Sequence, residues 1–228
     1  MMVDVDGVKR RLESVRERIE SACTRAGRSV ESVTLIAVTK TQPVEMLQAL
    51  IDCGVTDLGE NRVSEILDKT PFLQGEFTMH LIGHLQTNKV ARVLPFVQMV
   101  QSVDRDRLIE YIERYVPPET RLPVLVEVNT TGEPSKHGCL PDDCRKIMER
   151  VAMSNKLVPA GLMTIGPLGA EEKQTREAFS LLRTLAERNS DIVARPHLSM
   201  GMSGDFEWAI EEGATMVRIG SILCGVRN

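Results

Sequence analysis

Short apolar runs alternate with amphipathic stretches along almost the whole chain, and this alternation restricts the fold more than any other feature. Eight apolar runs are typical of buried strands: residues 33–38, 55–58, 79–82, 97–100, 122–128, 157–163, 197–200 and 216–219. Each gap between them holds a helix-like stretch: residues 44–53, 63–69, 88–94, 105–115, 142–153, 171–188 and 206–212. This order predicts an α/β fold, a single (β/α)8 barrel of the TIM type. A doubly wound open sheet is the alternative.

The segment before the first predicted strand has its own pattern. Apolar residues recur there at steps of three and four, and they are Val5, Val8, Leu12, Val15, Ile19, Ala22 and Ala26. This spacing predicts an amphipathic N-terminal helix that ends at Gly27. The pattern is too short for a stable coiled coil, so we expect helix 1–27 to pack on its own barrel. We therefore expect one domain, 1–228, and a monomer.

Composition excludes several classes of function. A net charge of -4 argues against nucleic-acid binding, which needs a basic surface. No apolar run approaches the roughly 18 residues of a membrane span, and the N-terminus lacks a signal-peptide pattern, so we expect a cytoplasmic protein without a membrane partner. The 5 cysteines are irregularly spaced without a CxxC motif, which favours reduced thiols and predicts no metal site.

Residues that could bind a ligand or take part in a reaction follow the predicted strands. Lys40 ends the first apolar run, and the later runs are followed by Glu60-Asn61, Gly83-His84, Ser102, Asn129, Thr164, Gly201 to Gly204, and Gly220-Ser221. In a barrel of parallel strands all carboxyl ends face one rim, where active sites are built. A lone lysine at such a position is usually a turn residue. The clustering favours a functional role for Lys40.

Two glycine-rich segments at the last strands are typical of phosphate binding. Gly201-Met202-Ser203-Gly204 precedes a predicted helix, and Gly220-Ser221 follows the eighth strand. Barrels of this type commonly hold a phosphate at these two strand ends through backbone amides and hydroxyls. Alternatively, Ser203 only caps the helix and Gly220 only turns the chain.

Arg218 interrupts the apolar run of the eighth strand. A buried guanidinium needs water, a carboxylate or a ligand acceptor, so a salt bridge to Glu60 or Glu127 is the structural alternative. A lysine, a phosphate cradle and an arginine at one mouth together suggest pyridoxal 5'-phosphate (PLP). Its aldehyde would react with Lys40, and its ring nitrogen would lie near Arg218.

Several motifs carry a resemblance to a known family. They are Ala37-Val38-Thr39-Lys40-Thr41, Leu58-Gly59-Glu60-Asn61, His80-Leu81-Ile82-Gly83-His84-Leu85-Gln86-Thr87-Asn88-Lys89, Gly161-Leu162-Met163, Leu198-Ser199-Met200-Gly201-Met202-Ser203 and Met216-Val217-Arg218-Ile219-Gly220. In this order they resemble the pyridoxal phosphate homeostasis protein family, also called the YggS/PROSC type. The resemblance covers nearly all of the chain. Two small departures, Thr39 and His137, stand where serine is common.

The resemblance implies a single barrel similar to the N-terminal domain of alanine racemase. It implies that Lys40 becomes an N6-pyridoxal phosphate lysine, a Schiff base, and that the phosphate is held by Ser203, Gly220 and Ser221. Arg218 would lie at the ring nitrogen, and the other cofactor-lining residues would be Asn61 and Met202. The family has no established catalytic activity, and it is thought to buffer PLP or to deliver it to PLP-dependent apoenzymes.

Three enzymatic functions remain open as alternatives. A PLP-dependent racemase needs a second acid/base, yet the sequence ends at Asn228, and Tyr111 and Tyr115 lie on a predicted outer helix. His84 is the remaining candidate for that role. A lyase or aldolase could use Lys40 directly on a carbonyl substrate. A metal hydrolase would rest on His80 and His84, whose spacing across Gly83 is poor ligand geometry.

Overall fold

The computed structural model describes residues 3–225, which form a closed barrel of parallel strands. The strands are β1 Thr34–Val38, β2 Asp57–Glu60, β3 Thr78–Leu81, β4 Met99–Val103, β5 Leu122–Glu127, β6 Leu157–Met163, β7 His197–Ser199 and β8 Met216–Ile219. Each strand pairs with the next, and β8 pairs with β1 to close the barrel. The predicted (β/α)8 barrel is confirmed, and the open sheet is excluded.

Helices surround this barrel. They are α1 Val5–Arg25, α2 Val44–Asp52, α3 Val63–Lys69, α4 Val90–Val93, α5 Asp106–Tyr115, α6 Cys144–Ala152, α7 Glu172–Arg188, α8 Phe206–Glu211 and α9 Ser221–Cys224. Helices α2 to α8 each connect one strand to the next, as the alternating pattern predicts. Within residues 3–225, no helix combines the length and apolar character that crossing a bilayer requires.

Some element boundaries differ from those predicted. The strand β4 starts two residues later than the apolar run and continues to Val103, so Ser102 lies within the strand, where its hydroxyl donates to the Gly83 carbonyl at 2.7 Å. The helix α4 is short because 3-10 turns flank it at Thr87–Lys89 and Leu94–Phe96. Pro95 has no amide hydrogen to continue the α-helical pattern.

The N-terminal helix α1 packs against the last helices, α8 and α9. Its buried face consists of Gly7, Val8, Leu12, Val15, Ile19, Ala22 and Cys23. Five of these belong to the predicted periodic set, whose end members Val5 and Ala26 are not buried. At its start, the Asp4 carboxylate accepts a hydrogen bond from the Gly7 amide at 2.8 Å. Arg11 also donates through Nε to the carbonyl of Leu223 at 2.8 Å, which ties α1 to the end of α9.

The barrel interior combines an apolar layer with a buried polar group. Five side chains form the apolar layer: Ile36, Met99, Leu125, Met163 and Met216. The polar side chains between these strands are those of His80, Gln101, Ser199 and Arg218, all of which are buried. Unpaired polar groups are costly in such a core, so these four side chains must form hydrogen bonds with one another or with the surrounding backbone.

Candidate functional site

The carboxyl ends of the strands enclose a cavity of about 360 Å³. Its walls are formed by Val38, Lys40, Gln42, Asn61, Ile82, Ile165, Met202, Ser203, Gly204, Arg218, Gly220, Ser221, Cys224 and Gly225. The predicted cofactor-binding residues Lys40, Asn61, Met202, Ser203, Arg218, Gly220 and Ser221 are among them. Of the other residues predicted at the strand ends, the cavity walls do not include Glu60, His84, Ser102, Asn129 and Thr164. The volume is that of a small-molecule site, and its walls combine apolar side chains with six polar or charged ones, those of Lys40, Gln42, Asn61, Ser203, Arg218 and Ser221.

Lys40 lies in a tight turn directly after β1. The turn is closed by a hydrogen bond of 3.0 Å from the Gln42 amide to the Thr39 carbonyl, with Lys40 and Thr41 between them. Thr41 has a φ of 64°, a left-handed conformation that is rare for a β-branched residue. Its amide donates to the Glu65 carboxylate at 2.6 Å, which holds this conformation and fixes the backbone of Lys40.

A buried charged cluster fastens the other side of the same turn. The Thr39 hydroxyl donates to the Glu60 carboxylate at 2.8 Å. Lys69 donates from Nζ to the Thr39 carbonyl at 2.9 Å and to the carboxylates of Glu60 at 2.7 Å and Glu65 at 2.6 Å. Burial raises the pKa of Glu60, although Lys69 and Thr39 act in the opposite direction. Neither Lys69 nor Glu65 was predicted as part of the site, because α3 reads as an ordinary outer helix.

The loops after β7 and β8 meet through Ser203. The Ser203 hydroxyl accepts a hydrogen bond from the Gly220 amide at 3.2 Å. Ser203 does not cap α8, since that helix is preceded by Asp205, whose carboxylate instead accepts from the Met202 amide at 2.5 Å. The capping alternative is therefore wrong, and Ser203 connects the two glycine-rich segments.

These loops present backbone donors to the cavity. Within residues 3–225, the amides of Ser203 and Gly204 donate to no protein acceptor. Gly201 sets the path of the loop, with a φ of 89°, and a Cβ atom there would lie 2.5 Å from the Cβ of Ala209. Such a site requires glycine. Free amides at tight glycines are the donors that anions prefer.

Arg218 is buried in β8 and reaches the cavity wall. Its Nη1 donates to the Ser199 hydroxyl at 2.6 Å, and its Nη2 donates to the Thr164 carbonyl at 2.7 Å. The predicted alternative, a salt bridge to Glu60 or Glu127, does not form. Burial lowers the pKa of Arg218 to about 10, and the nearby Glu127 and Asp205 oppose that shift. The guanidinium is therefore held by neutral acceptors in a fixed orientation.

The remaining wall residues differ in how far the sequence indicated them. The Asn61 side-chain oxygen is buried without a hydrogen-bond partner in residues 3–225, and Met202 is 37% exposed at the rim. Gln42 and Ile165, which were not predicted, follow strands closely enough that the strand-end rule could have found them. Cys224 had no signal, and burial raises the pKa of its thiol to about 11.

The two histidines considered as metal ligands have separate surroundings. His80 lies inside the barrel, with Nε2 2.9 Å from the Asp57 carboxylate and Nδ1 3.0 Å from the Gln101 amide nitrogen. His84 lies at the rim, where its ring stacks on His137 with 4.1 Å between centroids. No cluster of three or more His, Cys, Asp or Glu within residues 3–225 is arranged to hold a metal ion. The hydrolase alternative has no structural support.

The fold and the site define a class of protein: a (β/α)8 barrel with a small-molecule cavity at its mouth. The cavity is lined by a lysine on a fixed turn, a buried arginine and free backbone amides. A profile of the family described as "Alanine racemase, N-terminal domain" matches residues 11–228. A relative from Aquifex aeolicus, named Pyridoxal phosphate homeostasis protein, is 42% identical over 96% of this chain and 97% of its own length. The chain therefore belongs to the pyridoxal phosphate homeostasis protein family, within the alanine racemase N-terminal-domain group.

Solved structures agree with this assignment. A protein of unknown function from Bifidobacterium adolescentis has a TM-score of 0.91 and 36% identity, and the alignment covers 98% of this chain and 97% of the other. PipY of Synechococcus elongatus PCC7942, solved with PLP bound, has a TM-score of 0.83 and 31% identity, with 96% of this chain and 100% of PipY covered.

Proposed function

We propose that this protein binds PLP in the cavity at the barrel mouth, as a Schiff base on Lys40, and takes part in the homeostasis of that cofactor. The observation that carries the proposal is the convergence of Lys40, Arg218 and the Ser203–Gly204 amides on one cavity of about 360 Å³. The relatives named for PLP homeostasis and the PLP-bound PipY structure support it.

The residues around the cavity fit the three functional parts of PLP. Lys40 supplies the amine, and the linkage forms when its Nζ adds to the aldehyde carbon and one water leaves with the aldehyde oxygen. The amides of Ser203 and Gly204, with the hydroxyl of Ser221, are suitable donors for the phosphate. Arg218 would face the ring nitrogen. Bound PLP would supply a reactive carbonyl conjugated to an electron-withdrawing ring.

Asn61 and Met202 also line this cavity. The unpartnered side-chain oxygen of Asn61 is an acceptor that a ligand donor can satisfy. Met202 offers a polarizable apolar surface at the rim. Gly220 brings its amide to Ser203 and so supports the phosphate contacts indirectly.

A carrier role fits these side chains better than a catalytic one. A permanent cation at the ring nitrogen disfavours its protonation, which weakens the ring as an electron sink for carbanions. Among the described cavity residues, no His, Tyr, Asp or Glu offers a second acid/base, and the Cys224 pKa of about 11 makes its thiol a poor one. We infer a cytoplasmic, monomeric protein that buffers PLP or delivers it to PLP-dependent apoenzymes.

Borohydride trapping tests the proposal. The purified protein is loaded with PLP, and its absorption spectrum is recorded before and after reduction, followed by mass analysis of the peptides. We expect one reduced adduct on Lys40 and no Schiff-base band in Lys40→Ala, whose fold should be intact because Lys40 is a mouth residue. Lys89→Ala, which removes another rim lysine, is the matched control and should retain the band. An adduct on a different lysine would contradict the proposal.

A further inference from the structure

A continuous chain of hydrogen bonds crosses the barrel interior from Arg218 to Asp57. Arg218 donates from Nη1 to the Ser199 hydroxyl at 2.6 Å, and this hydroxyl lies 2.7 Å from Gln101 Oε1. The other end of that amide, Nε2, lies 3.0 Å from His80 Nδ1. His80 Nε2 then lies 2.9 Å from the Asp57 carboxylate. The chain connects β8, β7, β4, β3 and β2, so it spans the barrel from the site wall to the start of β2.

The guanidinium of Arg218, which can only donate, and the orientation of the Gln101 amide together fix the direction of every bond in this chain. Arg218 can only donate, so the Ser199 hydroxyl accepts from it and donates a hydrogen bond to Gln101 Oε1. The Gln101 amide nitrogen therefore donates to His80 Nδ1. The imidazole must then be neutral, with its hydrogen on Nε2, where it donates to the Asp57 carboxylate. All donors point away from the cavity.

Neighbouring groups support this assignment of the Gln101 amide. Its nitrogen lies 3.8 Å from the sulfur of Met99 and 3.7 Å from the sulfur of Met216, which are weak acceptors for the second amide hydrogen. The opposite assignment would place the carbonyl oxygen against both sulfurs.

Asp57 is suited to end the chain as an ionised carboxylate. Burial alone would raise its pKa, but hydrogen bonds from His80 and from the Thr56 hydroxyl hold the pKa below its ordinary value. The chain therefore links a buried cation to a carboxylate through three neutral side chains, Ser199, Gln101 and His80, each at most 1% exposed. Hydrogen bonds aligned in this way polarise one another.

We propose that Ser199, Gln101 and His80 are positioning residues that fix the Arg218 guanidinium toward the ring nitrogen of bound PLP. This inference rests on the proposed function. The Thr164 carbonyl anchors only Nη2, and one contact leaves the plane of the guanidinium free to rotate. The second anchor, at Ser199, sets that plane, and the rest of the chain sets the orientation of the Ser199 hydroxyl. A change as far away as Gln101 should therefore alter how the protein holds the pyridine nitrogen.

The first test needs no cofactor. The ring nitrogens of His80 are observed by nitrogen–proton correlation NMR of the PLP-free protein at neutral pH, with assignment from a His80→Gln variant. We expect a neutral ring with its hydrogen on Nε2. A hydrogen on Nδ1 would reverse the bonds between Ser199, Gln101 and His80 and overturn the inference.

The second test compares PLP with 1-deazapyridoxal 5'-phosphate, in which carbon replaces the ring nitrogen. Gln101→Leu breaks the chain at its centre while keeping a side chain of similar size, and Ser199→Ala is a second variant in case the first folds poorly. Met163→Leu, in the same interior layer, is the packing control. We expect the chain variants to bind PLP about tenfold more weakly, equivalent to one lost hydrogen bond to a charged group, with the deaza compound affected less than about twofold.

The outcomes separate the two proposals. Equal losses for both compounds, or the same PLP loss in Met163→Leu, would reduce the chain to a packing role and overturn the inference. A wild-type protein that binds neither compound would overturn the proposed function and this inference with it. A loss confined to PLP, in chain variants alone, would establish that the chain acts through the ring nitrogen.

Discussion

Lys69 Nζ lies 2.7 Å from the Glu60 carboxylate, in an ion pair that is buried beside the turn that carries Lys40. The two side chains are 10% and 0% exposed, so water contributes little to their stabilisation. Glu65 joins the pair at 2.6 Å and also accepts from the amide after Lys40. The ammonium therefore bridges two carboxylates, and its hydrogen bond to the Thr39 carbonyl also holds the backbone of the site.

Removing this ammonium should strongly destabilise the fold. In Lys69→Met the buried Glu60 carboxylate loses its counter-ion and lies near a second negative charge. We expect the free energy of unfolding to fall by about 3–5 kcal/mol, the usual cost of leaving a buried charge unpaired. Urea denaturation measures it, with Lys173→Met, an exposed lysine on α7, as the control. A loss below about 1 kcal/mol would indicate that the cluster relaxes or takes up protons instead.

The sequence was sufficient for the barrel and for half of the cavity wall, because these depend on local patterns. Apolar runs locate strands, and a parallel barrel brings every strand end to one rim, so Lys40 and Ser203 could be placed together without coordinates. The prediction that Arg218 needs a special partner was also local, since a charge in an apolar run is unusual. Its actual partners, Ser199 and the Thr164 carbonyl, depend on how β8 is aligned with its neighbour β7 and with β6, the strand beyond it.

Lys69 and Gln101, which support the site residues, could not be predicted because their contacts depend on tertiary structure and not on local patterns. Lys69 occupies the last turn of an outer helix, where a lysine is ordinarily solvated, and its burial results from tertiary packing. Gln101 joins His80 on the neighbouring strand β3 to Ser199 on β7, and β7 comes within reach of β4 only when the barrel closes. The end of β2 also shifted: Gly59 and Glu60 extend the β2 ladder beside His80 and Leu81, although the apolar run ends at Leu58.

Phosphate recognition can be separated from the rest of cofactor binding. Replacing Ser203 and Ser221 together by alanine removes two hydroxyl donors, and it also removes the Ser203 acceptor that orients the Gly220 amide. We expect affinity for PLP to fall by at least about tenfold and affinity for unphosphorylated pyridoxal to change little, because hydrogen bonds to a charged group are worth about 1.5–3 kcal/mol.

Absorbance titration with both compounds measures this difference. Ser135→Ala, which removes an exposed serine from a neighbouring loop, is the control. Equal losses of affinity for PLP and pyridoxal in the double variant would place the phosphate elsewhere.

Glu127 should make stability depend on pH. It is 4% exposed, one of its oxygens has no partner within residues 3–225, and burial raises its pKa from 4.5 to about 7, with Asp104 adding to the shift and Arg218 opposing it. A raised carboxyl pKa costs no stability below the unfolded value, where both states are protonated. The cost grows as pH rises to about 7 and is constant above that value.

Glu127→Gln should therefore be more stable than the wild type above about pH 7, by at most about 3 kcal/mol, and equally stable below about pH 4.5. Urea denaturation across this range gives the comparison. Glu110→Gln changes an exposed carboxylate on α5, and its free energy of unfolding should depend on pH in the same way as that of the wild type. If the free energy of unfolding of Glu127→Gln also depended on pH in the same way as that of the wild type, Glu127 would ionise normally in the folded protein.

The final prediction is that the PLP-loaded protein shows no appreciable racemase or decarboxylase turnover. An amino acid that enters through the mouth can replace Lys40 in the linkage to PLP without further catalysis. Turnover, in contrast, requires an acid/base on each face of the ring. Single enantiomers of several amino acids are incubated in deuterated water, with Lys40→Ala as the control. We expect slow spectral changes without loss of optical purity. Multiple turnovers per site, with deuterium at the α-carbon and none in Lys40→Ala, would make this protein an enzyme, because the lysine would then act as a base and a second acid/base would have to enter the cavity.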